Sequence, residues 1–124
     1  MVVVTVDTEH VAPWPQINQM VQRLVNDRPG EYDQATIANI QDLLQMLEKT
    51  GRPAPQIGAG YWPTFRVTWS TVEAANIEIE IFSDRFEIYR FYERRTAIWN
   101  EAHTAGQAFT PAFFAELPVG QIPN

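Results

Sequence analysis

The sequence predicts an α+β domain: an N-terminal helical hairpin packed on an antiparallel meander of three or four strands, followed by a short C-terminal helix. Three observations predict it. Two segments in the first half, residues 16–27 and 34–49, repeat apolar residues at helical spacing. From Phe65 to Glu93 the chain instead alternates apolar and polar residues, with turn residues at the breaks. Near the end, Thr110-Pro111 opens a compact apolar run, "PAFFAEL", that Pro118 stops. With 124 residues, 45% hydrophobic and 19% charged, the chain has the size and composition of one domain that can bury a core, so residues 1–124 are read as a single unit.

Each element has a local cause. Val2, Val4 and Val6 alternate with Val3, Thr5 and Asp7, which suits a first strand or an arm, residues 1–12, that pairs with a sheet edge. Ile17, Met20, Val21, Leu24 and Val25 form the stripe of the first helix, with Pro13 and Pro15 before it and Pro29-Gly30 at its end. Asp33 is placed to cap the second helix, whose stripe is Ile37, Ile40, Leu43, Leu44 and Leu47. Gly51 and Pro53 end that helix, and the short link between the two helices predicts an antiparallel hairpin. Residues 50–63, "TGRPAPQIGAGYWP", read as a loop rich in proline and glycine. Phe65, Val67 and Trp69 then alternate with Arg66 and Thr68, and Ile77, Ile79 and Ile81 alternate with Glu78 and Glu80. Ser83-Asp84 is a turn, residues 86–93 return as a strand, and 94–99 extend it or start another. The tail from 119 to 124 has little to hold it.

The parity of the hairpin at Ser83-Asp84 decides what the glutamates do. An even-length loop puts Ile77, Ile79 and Ile81 on one face with Phe86, Ile88 and Tyr92. The other face then carries Glu78, Glu80, Phe82, Glu87, Tyr89, Phe91 and Glu93. An odd loop would set Glu87 among the isoleucines, which is costly, so the even loop is preferred. The acids then read either as a solvated face paired with arginines such as Arg66, or as a binding patch in which aromatics stand among carboxylates.

The order of residues from about 40 to 92 resembles a loose group of small bacterial α+β proteins of unassigned function. The likeness is carried by Leu47, Gly51, Pro53, Pro55, Val67, Trp69, Ile77 to Ile81, Asp84 and Tyr89. Members of that group often carry Asp-Gly-Gly before the tryptophan strand and Asp-Gly at the hairpin. Pro63-Thr64-Phe65 and Asp84-Arg85 stand there in this chain. The resemblance implies the order of elements and no activity.

Several chemistries are excluded or disfavoured by residue type. Cysteine is absent, which rules out disulfides, thiolate metal sites and thiol nucleophiles and fits a reducing compartment. A net charge of −6, spread over both halves, disfavours nucleic acid, whose phosphates need a basic surface. No apolar run approaches the roughly 20 residues of a membrane span. The opening "MVVVTVDTEH" lacks the basic start and apolar length of a secretory leader, so a cytoplasmic protein is expected. Ser70 and Ser83 lie in turns with no nucleophile elbow around them, and no phosphate-binding loop occurs.

These features predict a non-enzymatic, cofactor-free protein-binding module. It would be an acidic inhibitor, an antitoxin or immunity-type protein, or an accessory subunit, and its partner would present a basic surface. The expected contact residues are Glu78, Glu80, Phe82, Glu87, Tyr89 and Phe91, with Trp62 exposed in its proline-flanked loop. A homodimer through an edge strand at 2–6 or 94–99 is a further expectation. The alternative is a ligand-binding or metal-dependent enzyme domain with Glu9, His10 and His103 near its site, since divalent metals accept histidine and carboxylate ligands.

Overall fold

The computed structural model describes residues 14–61, 63–69 and 76–119. The expected strand at 2–6, Glu9, His10 and Trp62 lie outside the described residues. Helices α1 (Trp14–Asp27) and α2 (Gln34–Lys49) come first. Strands β1 (Gln56–Ala59), β2 (Phe65–Thr68), β3 (Ile77–Ile81), β4 (Arg85–Phe91) and β5 (Thr96–Ala102) follow, then helix α3 (Pro111–Glu116). The strands form one antiparallel sheet in the order β1-β2-β3-β4-β5, so each pairs with its neighbour in the chain.

The α+β arrangement matches the sequence reading, with five strands instead of three or four. The extra strand is β1, inside the segment read as a loop. Its sequence, "QIGA", has only Ile57 as a β-former, and its extended state comes from pairing with β2. Residues 96–102 form a separate strand because the chain turns at 92–95, where the Tyr92 amide donates to the Arg95 carbonyl at 2.8 Å. That turn also corrects the expected place of Tyr92. β4 ends at Phe91, Arg90 takes the position opposite Ile77, and Tyr92 is exposed with Arg95 lying 4.3 Å over its ring.

All three helices contribute to one core on the inner face of the sheet. Ile17 and Val21 of α1, Ile40, Leu43, Leu44 and Leu47 of α2, and Phe113 of α3 are buried there. They meet Phe65, Val67, Ile77, Ile79, Ile81, Phe86 and Ile88. The cap of α2 departs from expectation. Asp33 sits at the cap position, but its side chain accepts no capping bond, and its carbonyl receives the Ile37 amide instead. The other end of α2 closes as the glycine predicts. Gly51 has φ +72°, its amide bonds Glu48 and the Arg52 amide bonds Leu47, the paired bonds of a left-handed helix stop.

Two arginines hold α3 down. Arg90 Nη2 donates to the Glu116 carbonyl at 3.0 Å and pairs with its carboxylate at 3.1 Å. Arg52 Nη1 donates to the Pro118 carbonyl at 3.2 Å and lies over the Phe114 ring. Thr110 caps the helix by accepting from the Phe113 amide at 3.1 Å. With every described helix on one side, the described outer face of the sheet is left to its own side chains.

Candidate functional site

The register sets the outer face row by row. Glu80 lies between Arg66 on β2 and Glu87 on β4. Glu78 lies between Thr68 and Tyr89, and Tyr89 is opposite Ile98 on β5. The hairpin turn is Ser83-Asp84, with the Phe82 amide donating to the Arg85 carbonyl at 2.9 Å. This is the even loop, so the glutamates and isoleucines part to opposite faces. Together these side chains wall an open hollow of about 390 Å³. Glu78, Glu80, Phe82, Glu87, Tyr89 and Phe91 all line it, and Tyr61 and Arg66 complete the wall.

The three glutamates have different surroundings. Glu80 is only 8% exposed, so it is not part of a solvated face. Its Oε2 accepts from the Thr64 hydroxyl at 2.5 Å and from the Tyr61 amide at 3.1 Å, which ties the β1–β2 tip down onto β3. The approach is close enough to require glycine at 60. A Cβ there would fall 2.1 Å from Thr64 Oγ1 and 3.1 Å from Glu80 Oε2. Glu87 accepts from the Tyr89 hydroxyl at 2.7 Å and pairs with Arg85 at 3.3 Å. Glu78 pairs with Arg66 Nε at 3.1 Å, both side chains being partly open to solvent. The ion pair with Arg66 that the sequence suggested is therefore present, and it takes the diagonal glutamate, not the one directly opposite.

Like charges directly across a ladder repel, yet Glu80 faces Glu87. The Tyr89 hydroxyl bridges them, at 2.7 Å from Glu87 and 3.5 Å from Glu80. Its hydrogen bond to Glu87, and then burial, hold the phenol's pKa above the ordinary tyrosine value, so the bridging proton stays in place. The Tyr89 and Phe91 rings stack at 6.4 Å with planes 11° apart, and the Arg85 guanidinium lies 3.9 Å over the Phe82 ring. Tyr61 stands at the rim with 88% of its surface exposed, although its backbone is pinned by Glu80.

His103 lies in the core. It is 2% exposed and stacks on Phe109 at 4.4 Å and Phe86 at 4.8 Å. Its Nε2 lies 2.7 Å from Asp42 Oδ2. Asn39 Nδ2 donates to the carbonyls of Phe82, Ser83 and His103, which fastens α2 to the β3–β4 turn and to the end of β5. Of the alternative metal set, only His103 is described, and its ring is engaged by Asp42. Among the described residues no group of three or more His, Asp or Glu side chains could hold a metal ion. Among them, too, no helix is long and apolar enough to cross a membrane.

Sequence reasoning missed Tyr61 and Arg66 as wall residues. Tyr61 precedes the tryptophan in the same proline-flanked loop, which is the one signal that could have found it. No protein-family model, curated protein or solved structure matches the chain.

Proposed function

We propose that this chain is a cytoplasmic, non-enzymatic protein-binding module that receives a basic protein surface on the outer face of its sheet. It would act as an inhibitor, an antitoxin or immunity-type protein, or an accessory subunit. The observation that carries the reading is the hollow, where Glu78, Glu80 and Glu87 stand among Tyr61, Phe82, Tyr89 and Phe91 on a face that none of the described helices covers. Exposed aromatics give contact area at low entropic cost, and the carboxylates steer a cationic partner. A net charge of −6 works in the same direction over longer range.

The test is capture from the native host's lysate by the wild-type chain and by Glu78→Lys/Glu87→Lys. Glu80 is left intact because it holds the β1–β2 tip. One stoichiometric partner, weakened by salt and lost with the charge reversal, is expected. Equal capture by both chains would sink the reading.

Self-association through an edge strand is a second reading, favoured by β5. Among the described residues its outer edge is unpaired, it carries one charge in seven residues, and Ile98 is 59% exposed. Light scattering that gives a monomer mass across a wide concentration range would remove it.

A further inference from the structure

The hollow has one place where a cation can still be accepted. Glu80 has Oε2 filled by Thr64 and Tyr61, and its Oε1 faces the Tyr89 hydroxyl. Glu87 is engaged on both oxygens, by Tyr89 and Arg85. Among the described residues Glu78 meets only Arg66 Nε, on one oxygen, and a carboxylate has roughly four acceptor positions. Directly across the ladder from Glu78 is Tyr89, whose ring stacks on Phe91. The open carboxylate is therefore paired with two near-parallel rings, at the wall of a hollow large enough for a long side chain.

The surrounding surface favours one shape of cation. Arg85 lies over Phe82 while it bonds Glu87, Arg66 bonds Glu78 through Nε, and Arg95 lies over Tyr92. In the first of these, ring, guanidinium and carboxylate meet in one arrangement. A guanidinium is flat, weakly hydrated and able to offer two parallel donors to one carboxylate, whereas an ammonium is a strongly hydrated point charge.

We infer that the hollow takes one arginine side chain of the basic partner, with its guanidinium on Glu78 and its plane against the Tyr89–Phe91 pair. The inference rests on the protein-binding reading above and names the anchor that the partner contributes. Lysine at the same place would keep the charge and lose the stacking and the paired bonds. Phe91 and Glu78 are the anchor's contacts, while Glu80 and Glu87 shape the floor.

The test is a titration of the full chain, followed by backbone amide resonances, with N-acetyl-arginine amide and N-acetyl-lysine amide as probes. The arginine probe is expected to move the amides around Glu78, Tyr89 and Phe91, and the lysine probe to bind about fivefold more weakly. Glu78→Gln and Phe91→Ala should each abolish most of the arginine response. Unmoved amides of Leu43 and Leu44, in the core on α2, would show that these variants remain folded. Equal responses to the two probes, responses away from the hollow, or an arginine response that survives both substitutions would each overturn the inference. Lysate capture separates this failure from that of the function. Partner loss on charge reversal without any arginine response would leave a basic partner docking by charge alone.

Discussion

Glu80 and His103 are both buried polar side chains, and each fastens a distant part of the chain to the sheet. They do so on opposite faces. Glu80 accepts from a backbone amide and a hydroxyl at the floor of an open hollow. His103 is sealed between Phe86 and Phe109 and meets one carboxylate, Asp42. One sheet thus keeps a polar residue, on β3, as the base of a surface on one side and uses another, just past β5, as part of the core on the other. The difference lies in what covers them among the described residues: three helices inside, and the β1–β2 tip outside.

Substitution should measure that difference. His103→Ala removes a packed ring and leaves Asp42 Oδ2 with the Gly106 amide alone, and a loss of about 3–4 kcal/mol is expected in urea denaturation. Glu80→Ala leaves the Thr64 hydroxyl and the Tyr61 amide without an acceptor, and a loss of about 1.5–3 kcal/mol is expected. Equal losses at the two sites would mean that ring packing adds nothing at the inner one.

Gly60→Ala tests the same tie without touching the acid. Its Cβ would drive Thr64 Oγ1 from its place against Glu80, for an expected loss of about 1–2 kcal/mol. A neutral result would show that the tip has room to move.

Tyr89 sharpens the comparison through pH. Hydrogen bonding to Glu87, then burial, raises its pKa above the ordinary value of 10.0. The native state therefore keeps a proton that the unfolded chain gives up. The contribution is complete below about pH 10 and is lost as pH rises above it. Thermal midpoints of wild type and Tyr89→Phe should differ by a constant amount in neutral buffer and converge in strong alkali. A constant gap throughout would contradict the bridging role. Smallest of all is Arg66→Ala, expected to change stability by no more than about 0.5 kcal/mol, because its ion pair with Glu78 is partly open to solvent.

Alternation made the two faces of β3 and β4 legible, because a period of two fixes which residues share a side once the loop length is even. The helix stripes, the glycine stop of α2 and the proline start of α3 were legible for similarly local reasons. Alternation could not separate Glu78 from Glu80. The two residues have the same sequence context, and their fates diverge only because the β1–β2 tip, sixteen residues away from Glu80 at Thr64, folds over one of them. β1 was illegible because "QIGA" owes its extended state to β2. The burial of His103 depends on Asp42, sixty-one positions earlier, and on a phenylalanine cluster that no short window contains.

The strictly sequential strand order also has a kinetic meaning. Every pairing in the sheet closes a short stretch of chain, so hairpins can form and zip outward with little loss of chain entropy. The long-range links, Asn39 to the β3–β4 turn and Asp42 to His103, join the helices to a meander that can already exist. Assembly is then expected to run from β3–β4 outward, with docking of α2 as the step that commits the chain to its native state.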